Sequence, residues 1–208
     1  MKYTAEQQKL IDYTREKVEK LFENYTDPAH GTDHIFRVVD RTVKIARGEK
    51  ARSPFLCELA ALTHDIGRTR EDNPGENSRK HHELSYIILR EWFKDDRQFD
   101  ILIDEEKKEL LYTVRYHWNN VADDYDSAWI LRDADKLDAY GEVGINRMSH
   151  LCSSDEDWNS HLRHVYETYV HVRTKTAKKM IKKEKLMDAV EKKYKTYLES
   201  KIEPVELP

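Results

Sequence analysis

Apolar side chains recur at helical spacing along almost the whole chain, and strand-type alternation is nearly absent. Residues 4 to 24 carry Leu10, Ile11, Val18, Leu21 and Phe22 at that spacing, and Thr26-Asp27-Pro28 ends the run. A second helix carries His34, Ile35, Val38, Val39, Val43, Ile45 and Ala46. Asp33 is placed to cap its start and Gly48 to stop it, since glycine takes the left-handed cap conformation without steric cost. Pro54 opens a third, largely apolar helix that runs through Cys57 and Leu59 to Leu62 and ends on His64-Asp65. The segment 67–80, with Gly67, Asn73-Pro74-Gly75 and Asn77-Ser78, reads as a loop of the length that often serves function. Helical periodicity returns at 81–94, 105–118, 127–150 and 157–199. The pattern predicts an all-α bundle. Without a linker, repeat or low-complexity tract, residues 1–208 are expected to form a single domain.

Composition narrows this picture only in part. Charged residues make up 37% and apolar ones 38%, a balance that suits helices with one buried and one solvated face. A net charge of −4 and a pI near 6.2 argue against bulk electrostatic binding of nucleic acid. The Lys-rich stretch 178–185 is followed closely by Asp188 and Glu191, so it reads as a solvated helix face. No apolar run is long enough for a membrane span, and the N-terminus lacks the apolar core of a signal peptide. Cys57 and Cys152 form neither a disulfide framework nor a zinc-type pair, which points to a reducing cytoplasm.

The chemistry lies where ionisable groups interrupt apolar helices, because such groups are seldom buried unless paired or bound to metal. His34 opens the second helix, the pair His64-Asp65 ends the third, and Asp133 and Asp135 fall inside Trp129-Ile130-Leu131-Arg132-Asp133-Ala134-Asp135-Lys136-Leu137. Imidazole and carboxylate together serve divalent transition metals well, supplying both donor atoms and balancing charge.

The order His, His-Asp, Asp, each in apolar helical context, resembles the HD-domain superfamily of metal-dependent phosphohydrolases over roughly residues 27 to 195. The resemblance implies a single HD-domain helical bundle with His34, His64, Asp65 and Asp135 around one divalent metal ion (Mn²⁺, Fe²⁺, Co²⁺, Ni²⁺, Zn²⁺ or Mg²⁺). Asp135 is chosen over Asp133 because Ala134-Asp135-Lys136-Leu137 matches the family's pattern of a small residue before the aspartate and a basic residue and Leu after it. Asp133 and Asp138 then become carboxylates that orient the ligands or lie at the surface. His82 and His117 resemble histidines that bind a second ion in two-metal members and line the pocket in others. His30 shares a helical face with His34 and is expected to line the pocket. His81, His150, His161, His164 and His171 read as surface or packing residues.

A divalent ion can lower the pKa of a water molecule and polarise phosphorus-bound oxygen, with Asp65 accepting a hydrogen bond from the attacking water. Arg68, following His-Asp-x-Gly as in two-metal phosphodiesterases, is expected to act on the phosphate in catalysis. Lys80, with Arg79 beside it, and Lys136 are expected to meet the rest of the substrate's charge. Arg68-Thr69 stands where alarmone hydrolases carry an acidic pair, no Gly-Tyr-Pro signature is found, and there is no Walker-type glycine loop. The segment 169–180 is similar to the C-terminal helix of small stand-alone HD phosphohydrolases, whose activities lean toward nucleotides. The expected partner is therefore a small phosphate substrate, a nucleotide above all, with oligomeric state open. Two other readings fit the same residues: an HD-fold di-iron oxygenase and a non-catalytic nucleotide-binding regulatory module.

Overall fold

The computed structural model describes residues 3–71 and 79–200, with side chains to residue 196. Among them the fold is all-α. The helices are α1 (Ala5–Leu21), α2 (Thr32–Glu49), α3 (Pro54–Thr63), α4 (His81–Asp95), α5 (Asp104–Tyr116), α6 (Asp126–Asp138), α7 (Gly141–Ser149), α8 (Asp155–Val170), α9 (Lys175–Lys183) and α10 (Leu186–Ser200). Two 3₁₀ turns, Ile66–Arg70 and Arg97–Ile101, flank α4. No helix among the described residues is long and apolar enough to cross a membrane.

α3 lies at the centre. Its hydroxyl cap Ser53 accepts from the Leu56 amide, Pro54 occupies the first turn, and all its residues but Glu58 are buried. A helix apolar all round must be covered on every side, and α1, α2, α5 and α6 all pack on it. α2 also lies along α6, which brings His34 toward Asp135. α4 packs on α5 and on the 3₁₀ turn that follows His64-Asp65.

Several boundaries differ from those the periodicity suggests. Gly31, not Asp33, occupies the N-cap of α2, and Asp33 lies in the first turn. Gly48 lies inside α2 rather than stopping it; the helix ends at Lys50, left-handed at φ 57°. Glycine is needed at 48 because a Cβ there would meet Thr176 Oγ1 at 2.3 Å, where α9 crosses α2. The segment 127–150 is two helices, parted at Tyr140 and Gly141, whose φ of +75° suits only glycine well. The segment 157–199 is three, parted by the Thr174 cap of α9 and by left-handed Lys185. The expected loop 67–80 begins as a 3₁₀ turn through Arg70, and residues 72–78 lie outside the described residues.

Gly67 fixes how closely that turn approaches α4. Its amide donates to Ser85 Oγ at 2.8 Å, and a Cβ would meet His81 O at 2.1 Å and Ser85 N at 2.4 Å. Backbone cannot rotate aside as a side chain can. Gly67→Ala is therefore expected to cost about 1–3 kcal/mol in urea denaturation, the usual range for overpacking. Gly48→Ala, which meets only a threonine side chain, should cost less. Equal losses would show that the two contacts are equally yielding.

Candidate metal centre

Two of the central imidazoles are placed by the same local device. His64 and His117 are the C-cap residues of α3 and α5, where the last backbone carbonyls lack helical partners. His64 Nδ1 donates to Ala61 O at 2.8 Å and His117 Nδ1 donates to Val114 O at 2.7 Å. A carbonyl only accepts, so the proton lies on Nδ1 and Nε2 presents a lone pair. His64 Nε2 is buried without a partner. Both helix C-termini also direct the negative end of their dipoles inward, where a cation would be favoured.

His34 arrives from the first turn of α2, and its Nδ1 donates to Asp138 Oδ2 at 2.7 Å. Its Nε2 stands 3.4 Å from Asp135 Oδ1 and 3.7 Å from Asp65 Oδ2. Ligand atoms of His34, His64 and Asp135 lie within 4.8 Å of one another, and those of Asp65, His81 and His117 form a second such group. Asp65 stands between the two. Its Oδ2 faces His34 and Arg68 Nε (3.5 Å), while its Oδ1 faces His81 Nε2 at 3.5 Å and His64 Nε2 at 3.9 Å. These nitrogen and oxygen donors, with an orphaned buried Nε2 among them, fit a divalent ion.

Charge at the centre is strongly perturbed. Burial raises Asp65, but His64, His81 and Arg68 outweigh it and hold the carboxyl well below its usual range. Burial likewise opposes ionisation of Asp135, yet the His34 hydrogen bond and the nearby imidazoles keep it low. Burial would lower His34, but the hydrogen bonds to Asp135 and Asp138 raise it. Burial pushes His81 down to about 3 and lowers His117. The crowded carboxylates thus call for positive charge, which protons or a bound cation can supply.

His34, Asp65, Asp135, His81 and His117, with His64 buried behind them, line a cavity of about 400 Å³ that is also lined by His30, Arg68, Trp118, Asn120, Arg132, Lys136 and Arg147. Arg68 Nη1 donates to Glu71 at 2.9 Å while the side chain faces Asp65, so it has a structural partner and a place at the cavity wall. His30 lies in the turn before α2, not on the helix face expected to carry it beside His34; its Nδ1 donates to Asp27 Oδ2 at 2.7 Å, and it lines the cavity from there. Lys136, lowered to about 8 by burial, contacts Asn120 Oδ1 at 2.6 Å. Lys80 is exposed beside the N-terminus of α4 and is not among the lining residues. His82 is half-buried and packs its ring on the exposed Trp118 at 5.1 Å without lining the cavity, and His81, read from sequence as a surface residue, takes the inward position instead. Asp133 points away, accepting from the Arg173 and Thr174 amides at the start of α9.

Sequence reasoning also missed Arg147, Met148, His161, His164 and Thr168, which complete the cavity from α7 and α8. Their spacing within each helix was visible, but nothing local tied those helices to the His-Asp pair. Arg147 matters most. It donates from Nη1 to Asp138 Oδ2 at 2.8 Å and from Nε to Ala29 O at 2.8 Å, and Arg37 donates to both Asp138 oxygens at 2.9 and 3.1 Å.

A family model described as HD domain matches residues 31–140. Among solved structures, a predicted HD superfamily hydrolase from an uncultured Thermotogales bacterium is 27% identical, with 93% of this chain and 91% of that one covered and a TM-score of 0.64. Bacillus subtilis YpgQ in complex with ADP is 23% identical, with 97% and 100% covered and a TM-score of 0.66. An HD-superfamily hydrolase from Bacillus thuringiensis is 20% identical, with 93% and 97% covered and a TM-score of 0.66. No curated protein matches the sequence.

Asp138 is the best single probe of the centre. Asp138→Asn is expected to weaken divalent-metal binding by about 10–100-fold, the usual effect of losing a ligand's orienting partner. Competition against a chromogenic chelator would measure it. The same change leaves Arg37 and Arg147 without their carboxylate, so denaturation should show a loss of about 3–5 kcal/mol. Unchanged metal affinity would mean that His34 is not held for a metal.

Proposed function

The chain belongs to the HD-domain family, and from that premise we propose that it is a metal-dependent phosphohydrolase. The bond cleaved in this reading is a phosphoester or phosphoanhydride, with nucleotides as the substrate class. One observation carries it: the buried imidazole and carboxylate donors share their cavity with Arg68 and Lys136, so hydrolytic donors and cations for an anionic substrate face one space. The ADP held by YpgQ, a protein of the same fold, supports a nucleotide ligand. The acidic net charge supports a small molecule over a polymer, and the same reading places the enzyme in the cytoplasm.

Here His34, His64, Asp65 and Asp135 hold a divalent ion, which when bound supplies an acidified water and polarises a phosphoryl oxygen. Asp65, kept ionised by its surroundings, is available to accept a hydrogen bond from the attacking water. Arg68 offers its guanidinium to phosphate oxygens as charge develops during attack, and Lys136 and His30 contact the substrate from the same cavity. Asp65, His81 and His117 are the donors for a second, weaker ion, with His81 in the role expected of His82.

A phosphate-release screen of nucleotides and phosphoesters, with metal-free protein resupplied with each divalent ion, tests the reaction. Release is expected with at least one metal. His64→Ala and Asp65→Ala should each lose metal and turnover while far-ultraviolet dichroism stays unchanged. Arg68→Ala should lower turnover by about 10²-fold, as for loss of one transition-state donor, and leave metal content intact. The adjoining donor groups also suit a di-iron oxygenase. Oxygen consumption by iron-loaded protein with no phosphate release under any metal would replace the hydrolase reading, and nucleotide binding without turnover would favour a regulatory module.

Nuclearity has its own test. Elemental analysis across a metal titration should show one ion bound tightly and a second only at higher concentration. His81→Ala should remove the second and spare the first. Identical stoichiometry in His81→Ala and wild type would confine His81 to lining the cavity.

A further inference from the structure

One wall of the cavity has no part in the hydrolytic reading. α8 contributes His161, His164 and Thr168 to it, residues three and seven positions apart and so on one face of the helix. Met148 from α7 lines the same cavity. Thr168 is already engaged, since its hydroxyl donates to Val165 O at 2.9 Å and lies 3.3 Å from the Tyr140 hydroxyl. His164 is exposed.

His161 differs from both. Its Nε2 is buried and has no hydrogen-bond partner, a state that costs free energy until something completes it. The ring stands edge-on to Trp158 at 6.2 Å. Burial, reinforced by His164 and Arg147, pushes it down to about 4, so near neutral pH the ring is uncharged. A neutral imidazole has one donor and one acceptor. That suits a hydroxyl better than a phosphate, whose charge Arg68 and Lys136 are there to meet.

We propose that α8 is the wall that recognises the uncharged polar part of the substrate, and that His161 is its specificity-determining contact to a sugar hydroxyl. The inference rests on the phosphohydrolase reading only for which end of the substrate faces Arg68 and Lys136.

Calorimetric titration of the Mn²⁺-loaded protein with ADP, 2′,3′-dideoxy-ADP and inorganic pyrophosphate tests it. His161→Leu should bind ADP about tenfold more weakly, the worth of one hydrogen bond, and pyrophosphate within about twofold of wild type. Wild type should prefer ADP to dideoxy-ADP by a similar factor, and His161→Leu should not distinguish them. Metal stoichiometry and melting temperature report whether the variant is intact. Should the leucine variant fail to fold, the wild-type comparison of the two nucleotides and the His161→Asn variant, expected to keep part of the preference, decide the matter. Equal affinity of wild type for ADP and dideoxy-ADP, or equal losses of ADP and pyrophosphate in the variant, would overturn the proposal. Binding of pyrophosphate without either nucleotide would overturn it while sparing the phosphohydrolase reading. If none of the three binds, that reading falls and this inference with it.

Discussion

Asp138 is wholly buried, and a carboxylate taken out of water is tolerated only when its charge is met and its oxygens are filled. His34, Arg37 and Arg147 do both, and they reach it from α2 and α7 while Asp138 itself ends α6. Arg147 then extends to the carbonyl of Ala29 in the connection before α2. One ion cluster therefore ties three helices and a loop together, and the orientation of His34 follows from it. Removing the carboxylate would leave the nearly buried Arg147 guanidinium without its partner and His34 without its acceptor, so geometry at the centre and stability of the fold rest on one interaction.

His64 and His117 are oriented by a more local device. A helix must end with unpaired carbonyls, and α3 and α5 end on an imidazole that uses one of them. The defect at each helix end thereby sets the tautomer of a candidate ligand, with no carboxylate needed. The two arrangements serve different positions. His34 enters near the N-terminus of α2, where amides rather than carbonyls are left over, and so requires an acceptor from elsewhere. Asp65, just past the end of α3, divides its oxygens between both donor groups, which couples them electrostatically.

Away from these histidines and aspartates the cavity changes character. The side formed by α6 and the turn after α3 carries the basic side chains Arg68 and Lys136, whereas α8 presents a half-buried imidazole whose Nε2 has no partner. Such a division suits a substrate with one charged and one neutral polar end. α7 belongs to both regions, because Arg147 holds Asp138 and also lines the cavity beside Met148.

Much of this was legible from sequence because its causes are local. Apolar periodicity determined the helices and the buried α3, and histidine and aspartate inside apolar runs marked His34, His64, Asp65 and Asp135 as groups that must find partners. Tertiary structure decided the rest, because the deciding contacts join residues far apart in the chain. His81 and His82 differ by about 100° around one helix, and only the close approach at Gly67 and Ser85 turns His81 inward. Gly48 looks like a helix stop until α9 is seen crossing it, and Gly141 breaks α6 from α7 where Leu186 of α10 packs against it. Arg147 and His161 sit in ordinary amphipathic helices. What they face depends on how α7 and α8 dock, and that is set by the summed packing of many residues, which no short window of sequence contains.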